Sequence, residues 1–207
     1  MKKIIQTLLA LSLLQQVPAF AEEYKVIELY TQDELNQLIS QNRHLQRVKA
    51  DDCQLVQDIE AHATKVQEPS YVFLWGDMLA WGVCVERNAK LGMHYINQAA
   101  EQGLLAALEQ LGRYYNQGIL VFKDKNRALA YFREAALQGN LPAQISYVSL
   151  LNEGYGSPHD YEDAYRVLYN NVIVDKKTKQ KARLLLANLG KNMPDYVIKR
   201  AEKITRE

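Results

Sequence analysis

Four histidines and two cysteines are the side chains of this 207-residue chain best suited to metal binding or catalysis: His44, His62, His94, His159, Cys53 and Cys84. No histidine has a Cys, Asp or Glu at an established metal spacing such as H-x3-H or C-x2-C. The glycines from Gly76 to Gly82 do not form a phosphate loop because Lys-Ser/Thr is missing, and no serine lies in G-x-S-x-G. We therefore predict no catalytic residue, no metal and no cofactor.

The N-terminus has the pattern of a secretory signal peptide. Lys2 and Lys3 precede an apolar run over residues 4–14, and Ala19 and Ala21 are small residues at the positions that a signal peptidase reads. We expect cleavage after Ala21 and a mature chain that is exported, which makes nucleic acid an implausible partner. No later segment reaches the roughly 20 apolar residues of a transmembrane helix, so none is expected in the mature chain.

Export changes the interpretation of the two cysteines. In an oxidising compartment, pairing of Cys53 with Cys84 is expected rather than metal binding or catalysis. Cys53 is predicted to lie in a flanking helix and Cys84 in a loop, so a bridge would attach the flank to the following segment. Chain entropy suggests that the closed loop contributes roughly 3–4 kcal/mol. The alternative is two free, buried thiols that act as small hydrophobic side chains.

The segment that follows repeats with a period of 36 residues. The recurring residues are Gly76, Gly82, Ala100 and Gly103, found again as Gly112, Gly118, Ala136 and Gly139. A weaker third copy follows, in which Val148 replaces the expected glycine. Such a period indicates a stack of similar helix pairs, here predicted over 69–104, 105–140 and 141–171.

The second copy shows how each pair is predicted to pack. Its first helix places Ala107, Leu111 and Tyr115 on one face and stops at Gly118. Its second helix carries Ala128, Tyr131, Phe132, Ala135 and Ala136, with Gly139 beyond its end. Small residues such as Gly112 let the helices approach closely while aromatic rings fill the gaps. The abundance of glycine, alanine and aromatic residues is thus explained by packing.

Helical flanks are predicted on both sides of the repeats. Residues 22–68 form a cap of two helices. The first starts at Gln32, after a capping box formed by Thr31 and Glu34, and the second starts after Asp52. Residues 172–207 form two more amphipathic helices. The sign of the net charge changes between residues 171 and 172: residues 22–171 have a net charge of −7 and residues 172–207 a net charge of +6. The basic segment is either a solvated helix face or a docking segment for an acidic partner.

Two resemblances extend these patterns. The string Ala107-x3-Leu111-Gly112-x2-Tyr115-x2-Gly118, followed by Asp124-x3-Ala128-x2-Tyr131-Phe132-x2-Ala135-Ala136-x2-Gly139, resembles the Sel-like repeat, a 36-residue relative of the tetratricopeptide repeat. Over essentially its full length, most clearly at residues 44–51, 76–87 and 155–165, the chain resembles the MotX family of periplasmic flagellar motor proteins. The expected fold is an all-α, TPR-like solenoid of about three helix-turn-helix repeats with helical caps at both ends.

The resemblance to the MotX family also implies a function. It implies a non-enzymatic periplasmic protein at the flagellar basal body, which forms a ring with MotY and recruits the PomA/PomB stator of the sodium-driven motor, with a PomB-like subunit as direct partner. Two alternatives stay open: an exported Sel-like repeat enzyme or ligand-binding protein, and an envelope adaptor unrelated to motility. Cysteine-paired repeats are common in the first class, and their absence from the second and third copies counts against it.

A repeat array offers a groove lined by the first helix of each repeat. The candidate partner contacts are side chains of these helices that are not needed for packing against neighbouring helices: Asp77, Met78, Glu109, Arg113, Asn116 and Ser149. The alternative is that these side chains are simply solvated.

Overall fold

The computed structural model describes residues 29–203, so the predicted signal peptide and its cleavage site lie outside the described residues. Within this range the chain folds into helices and turns without a strand, which confirms the all-α prediction. The α-helices are α1 (Gln32–Ser40), α2 (His44–Ala50), α3 (Val56–Ala61), α4 (Pro69–Trp81), α5 (Ala89–Glu101), α6 (Leu105–Gln117), α7 (Lys125–Leu137), α8 (Leu141–Asn152), α9 (Tyr161–Tyr169), α10 (Lys176–Gly190) and α11 (Asp195–Ala201).

Helix pairs stack in chain order to form a solenoid. Helix α4 packs on α5, α6 on α7 and α8 on α9, and each second helix also contacts the first helix of the next pair. The stack continues beyond α9, because α10 packs on both α8 and α9 while α11 packs on α9. The basic C-terminal segment therefore extends the stack by two further helices, both of which pack on α9.

Glycines inside the first helices set the distance between the helices of a pair. A Cβ atom added at Gly112 would lie 2.5 Å from the Phe132 ring, and one at Gly76 would lie 2.9 Å from the Gly92 carbonyl oxygen. Neither distance is compatible with a side chain unless a neighbour moves. Close approach lets Phe132 become fully buried against the first helix.

The other predicted packing positions fall into two groups. Those buried between helices are Ala100, Ala107, Leu111, Ala128, Ala135 and Ala136. Tyr115 and Tyr131 are half-buried and stack with ring centroids 5.7 Å apart. Gly82 and Gly118 end the first helices with φ of 67° and 77°, a left-handed conformation that favours glycine; Gly103 and Gly139 follow the second helices, also with positive φ.

The N-terminal flank contains one helix more than predicted. Helix α1 begins at Gln32, as expected, and the Glu34 amide donates to the Thr31 hydroxyl at 3.2 Å. Helix α2 was not predicted, because a seven-residue, mostly polar helix is too short to show a hydrophobic period. A π-helical turn, His62–Val66, follows α3. The prediction that Cys53 lies in a helix is wrong: it occupies a turn between α2 and α3 with φ of 60°.

Candidate functional site

The surface formed by the first helices α4, α6, α8 and α10, here called the first-helix face, is the predicted groove. Its first part is covered by the chain itself, because α1 contacts both α4 and α6 and α2 contacts α4. Polar contacts fix this cover: the Ser70 hydroxyl donates to Asn36 Oδ1 at 2.5 Å, and Gln32 Nε2 donates to Glu68 Oε2 at 2.6 Å. A partner can therefore reach the first-helix face only beyond this cover.

Asp77 joins the cover to two repeats through a buried polar network. Its Oδ2 lies 2.7 Å from His44 Nε2 in α2, and its Oδ1 accepts a hydrogen bond from the Tyr114 hydroxyl of α6 at 3.0 Å. Trp81 Nε1 donates to the same hydroxyl at 3.0 Å. Burial, followed by the charge of Asp77, raises the pKa of Tyr114. The network therefore holds the flank and the first two repeats in one arrangement.

Two predicted partner contacts lie inside this region. Asp77 is 3% exposed and Met78 is 0% exposed, so the prediction that they face a free groove is wrong. The equivalent position in the second repeat, 36 residues later, is Arg113, whose side chain is partly exposed. The position is enclosed in the first repeat because α1 and α2 both cover α4. Met78 belongs to the hydrophobic core and Asp77 to the buried network.

Glu109 and Arg113 lie at the edge of the cover and bind each other. Arg113 Nε donates to Glu109 at 3.1 Å, and Arg113 Nη2 donates to Asn42 Oδ1, in the turn between α1 and α2, at 2.7 Å. Burial raises the pKa of Glu109, an effect that Arg113 partly offsets. These two side chains help to attach the flank to the second repeat, which leaves them less available to an external partner.

Asn116 and Ser149 come together on the uncovered part of the first-helix face. They line one polar cleft of about 180 Å³ with Ser146, Glu153 and Lys181, contributed by α6, α8, the turn after α8, and α10. Glu153 also accepts from Lys125 Nζ at 2.5 Å. Of the six predicted contacts, these two therefore share an accessible surface that could hydrogen-bond to a partner.

The predicted disulfide between Cys53 and Cys84 is confirmed. The Cα atoms lie 5.5 Å apart, and the bridge joins the turn before α3 to the loop between α4 and α5. Cys84 has φ of 61°, and Leu120, its counterpart 36 residues later, has φ of 60°. The cysteine thus occupies a position whose backbone the repeat already defines. Together with the Asp77 network, the bridge attaches the flank at two separate places.

Two of the four histidines contact acidic side chains within the protein. His44 belongs to the Asp77 network, and His62 Nδ1 lies 3.3 Å from Glu68 Oε2. Between residues 29 and 203, no group of three or more His, Cys, Asp or Glu side chains is placed to hold a metal ion. The same residues contain no helix that is both long and apolar enough to cross a membrane.

One sequence signal could have identified the buried network. Asp77 is the only charged residue of α4, whose other residues are almost all apolar. A lone carboxylate in a buried helix needs a polar partner, because an unpaired buried charge is costly. The identity of that partner, His44, was not visible, because 33 residues separate the two and His44 lies outside the repeat.

Comparisons with known proteins agree with this architecture. The Sel1 repeat family model matches residues 70–104 and 105–140. The sodium-type polar flagellar protein MotX of Vibrio parahaemolyticus is 52% identical over 177 residues, which cover 86% of this chain and 84% of that protein. No solved structure shows significant similarity to the chain.

Proposed function

Because the chain belongs to the family of the sodium-type polar flagellar protein MotX, we propose that it is a periplasmic scaffold that holds the stator of the sodium-driven polar flagellar motor. Identity of 52% over 86% of the chain is the observation that carries this proposal. The protein is a flagellar motor protein, and its Sel1 repeats are a protein-interaction fold rather than an enzyme. Family membership thus disfavours both alternatives, the exported enzyme or ligand-binding protein and the adaptor unrelated to motility.

The proposed partners are a MotY-like ring protein and a PomB-like stator subunit. In this proposal the protein forms a basal-body ring with MotY and recruits the PomA/PomB stator to the rotor, where torque is generated. Its contribution is positional: a partner bound on one repeat is kept at a fixed distance from a partner bound on another. No step of this mechanism requires a catalytic group or a cofactor.

A positional role requires a stiff molecule, and two features support stiffness. The disulfide and the Asp77 network attach the N-terminal flank to the first repeat at two places, Cys84 and Asp77. Each attachment restricts motion of the flank relative to the first repeat. Two surfaces that a partner could bind are the cleft containing Asn116 and Ser149 and the two basic C-terminal helices.

Location in the periplasm is part of the proposal. The sequence pattern of a signal peptide supports it, with cleavage expected after Ala21. The Cys53–Cys84 bridge supports it independently, because disulfides form and persist in oxidising compartments and are rare in the cytosol.

Localisation in living cells tests the proposed assembly. A fluorescently tagged full-length chain, with the tag after Glu207, is expected to form a spot at the flagellated pole in cells that contain the MotY-like protein. In cells lacking that protein the spot should disappear while immunoblots show unchanged amounts of the chain. A polar spot that persists without the MotY-like protein would contradict the ring proposal; a cytoplasmic signal would contradict export. Retained motility of the tagged strain is the control for the tag.

A further inference from the structure

An unusual loop joins α9, the last helix of the third pair, to α10. The equivalent loops, residues 102–104 and 138–140, are short, whereas residues 170–175 form a longer connection between α9 and α10. This loop exposes two apolar side chains, Val172 at 87% and Val174 at 91%. Neither the repeat pattern nor core packing accounts for two fully solvated valines at this position.

A cleft lies between this loop and α10, and we call it the α9–α10 cleft. It encloses about 410 Å³, a volume within the range of roughly 300–1,000 Å³ typical of binding pockets. Apolar side chains from Leu168, Ala182 and Leu186 line it, whereas Lys179 and Arg183 supply its charged groups. Its composition suits an apolar side chain that has carboxylates nearby.

The charge around the cleft is strongly positive. The exposed cations of the first eight residues of α10 are Lys176, Lys177, Lys179, Lys181 and Arg183. None of them forms an ion pair with any residue between positions 29 and 203. By contrast, Arg166 is paired with Asp163 and Arg200 with Glu162. Asp175 is the only carboxylate at this end of the helix, and it caps α10 by accepting from the Thr178 amide at 2.7 Å.

The position of these cations makes them unfavourable in the free protein. The N-terminal end of a helix carries a partial positive charge, so the cations of the first turn, Lys176, Lys177 and Lys179, are unfavourably placed. Mutual repulsion of five neighbouring cations adds to that cost. Carboxylates placed against Lys179 and Arg183 would reduce this repulsion, and an apolar side chain in the cleft would shield Val172, which lines it, from water.

We propose that the α9–α10 cleft docks an acidic segment of a partner protein and takes an apolar side chain of that segment between Val172 and Leu186. A protein segment fits better than a lipid surface, because the cleft is concave and its apolar groups lie between charged ones. The inference rests on the proposed scaffold function, since it specifies the chemistry of one partner.

Site-specific photocrosslinking in cells tests the docking proposal. The probe is p-benzoylphenylalanine incorporated in place of Val174, with incorporation in place of Val66, an exposed valine at the other end of the molecule, as the control. Mass spectrometry of the crosslinked product identifies the captured segment. We expect crosslinks from position 174 to a protein segment in which Asp and Glu outnumber Lys and Arg and which contains an apolar residue.

A charge-reversal pair makes the test specific. The double variant K179E/R183E should lower the crosslinking yield at least about fivefold, because two attractive ion pairs with the acidic segment become repulsive contacts. The matched variant K90E/K123E changes two exposed lysines of other repeats by the same charge and should leave the yield unchanged. K90E/K123E should melt at the wild-type temperature and K179E/R183E at or slightly above it, because none of the four side chains is buried and the second variant removes mutually repelling cations.

Four results would contradict the docking proposal. The first two are crosslinks only to phospholipid and capture of a segment in which Asp and Glu do not outnumber Lys and Arg. The other two are a crosslinking yield at position 174 equal to that at position 66, and a yield that the charge reversal does not change. The same experiment distinguishes failure of the docking proposal from failure of the scaffold proposal. Capture of an acidic segment from a protein outside the motor would support the docking proposal and contradict the scaffold function. Capture of a stator or ring protein through a basic segment would support the scaffold function and contradict the docking proposal.

Discussion

His44 Nε2 lies 2.7 Å from Asp77 Oδ2, and each side chain is only 4% exposed. This contact joins the N-terminal flank to the first repeat inside the protein, at a position where a repeat array would otherwise present an open surface. Tyr114 approaches the same carboxylate from the second repeat. One buried carboxylate therefore connects three parts of the chain.

Replacing Asp77 should be strongly destabilising. In Asp77→Ala the His44 imidazole and the Tyr114 hydroxyl both lose a buried partner, and we expect a loss of about 3 kcal/mol in the free energy of unfolding. Urea denaturation followed by circular dichroism measures it. Asp163→Ala is the matched control, because Asp163 and its partner Arg166 are both exposed, and it should cost less than about 0.5 kcal/mol. Equal effects of the two substitutions would contradict the proposed importance of the network.

The disulfide should stabilise the attachment of the flank. For the sequence separation of 31 residues, chain entropy gives about 3–4 kcal/mol, which the C53S/C84S variant should lose. Denaturation with and without reductant measures this, and reductant should affect the wild-type protein but not the double variant. Alkylation of unreduced protein followed by intact-mass measurement provides a separate check. Labelling of both thiols without reductant would show that the bridge is absent.

Replacing Gly112 by a residue with a side chain should destabilise the protein, because the Phe132 ring occupies the space that a Cβ atom would need. In Gly112→Ala the new Cβ overlaps the ring, which costs about 1–3 kcal/mol and exceeds the gain of roughly 1 kcal/mol in helix propensity. Gly190→Ala is the control: this helical glycine has its nearest neighbour, Ile198 Cδ1, at 3.4 Å, so its substitution should be neutral or stabilising. The free energy of unfolding from denaturant titration distinguishes the two.

A second variant tests whether the ring is the cause. In G112A/F132L the loss should be smaller than the sum of the two single losses by about 1 kcal/mol, because the smaller side chain leaves room for the methyl group. Additive losses would mean that Gly112 is required for another reason.

Glu109 should make stability depend on pH. Because burial raises its pKa in the folded state, the folded protein binds more protons than the unfolded chain at pH values between the two pKa values. Stability contributed by this group is therefore present below the unfolded pKa and falls as the pH rises through the folded pKa. We expect Glu109→Gln to gain stability relative to the wild type as the pH rises from below the unfolded pKa of Glu109 to above its folded pKa.

Comparison of melting temperatures at several pH values measures the effect of Glu109→Gln. Glu101→Gln, at an exposed position that ends α5, should follow the wild type throughout. A difference between Glu109→Gln and the wild type that stays constant with pH would contradict the raised pKa.

The repeat could be predicted from sequence because its determinants are local. Gly112 and Phe132 lie within one helix pair, and each pair packs on its immediate neighbour, so spacing alone indicates which residues meet. Cys53 and Cys84 could be paired because the chain has no other cysteine. Signal-peptide cleavage stays a prediction.

The arrangement of the flank could not be predicted in the same way. Where α1 and α2 lie depends on contacts between distant parts of the chain, such as Arg113 with Asn42, and no period relates these residues. For that reason Asp77 and Met78 were wrongly predicted to face a groove. The cleft between α9 and α10 was missed because its loop departs from the repeat, and the sequence indicated only the positive charge of this segment.

Stator assembly is the most direct test of the scaffold function. A strain in which the gene for this protein is deleted, and in which electron microscopy shows that flagella are still made, should not swim and should lack fluorescent PomB at the flagellated pole. Expression of the wild-type chain should restore both properties. A deletion strain that swims and keeps PomB at the pole would contradict the proposal that this protein holds the stator.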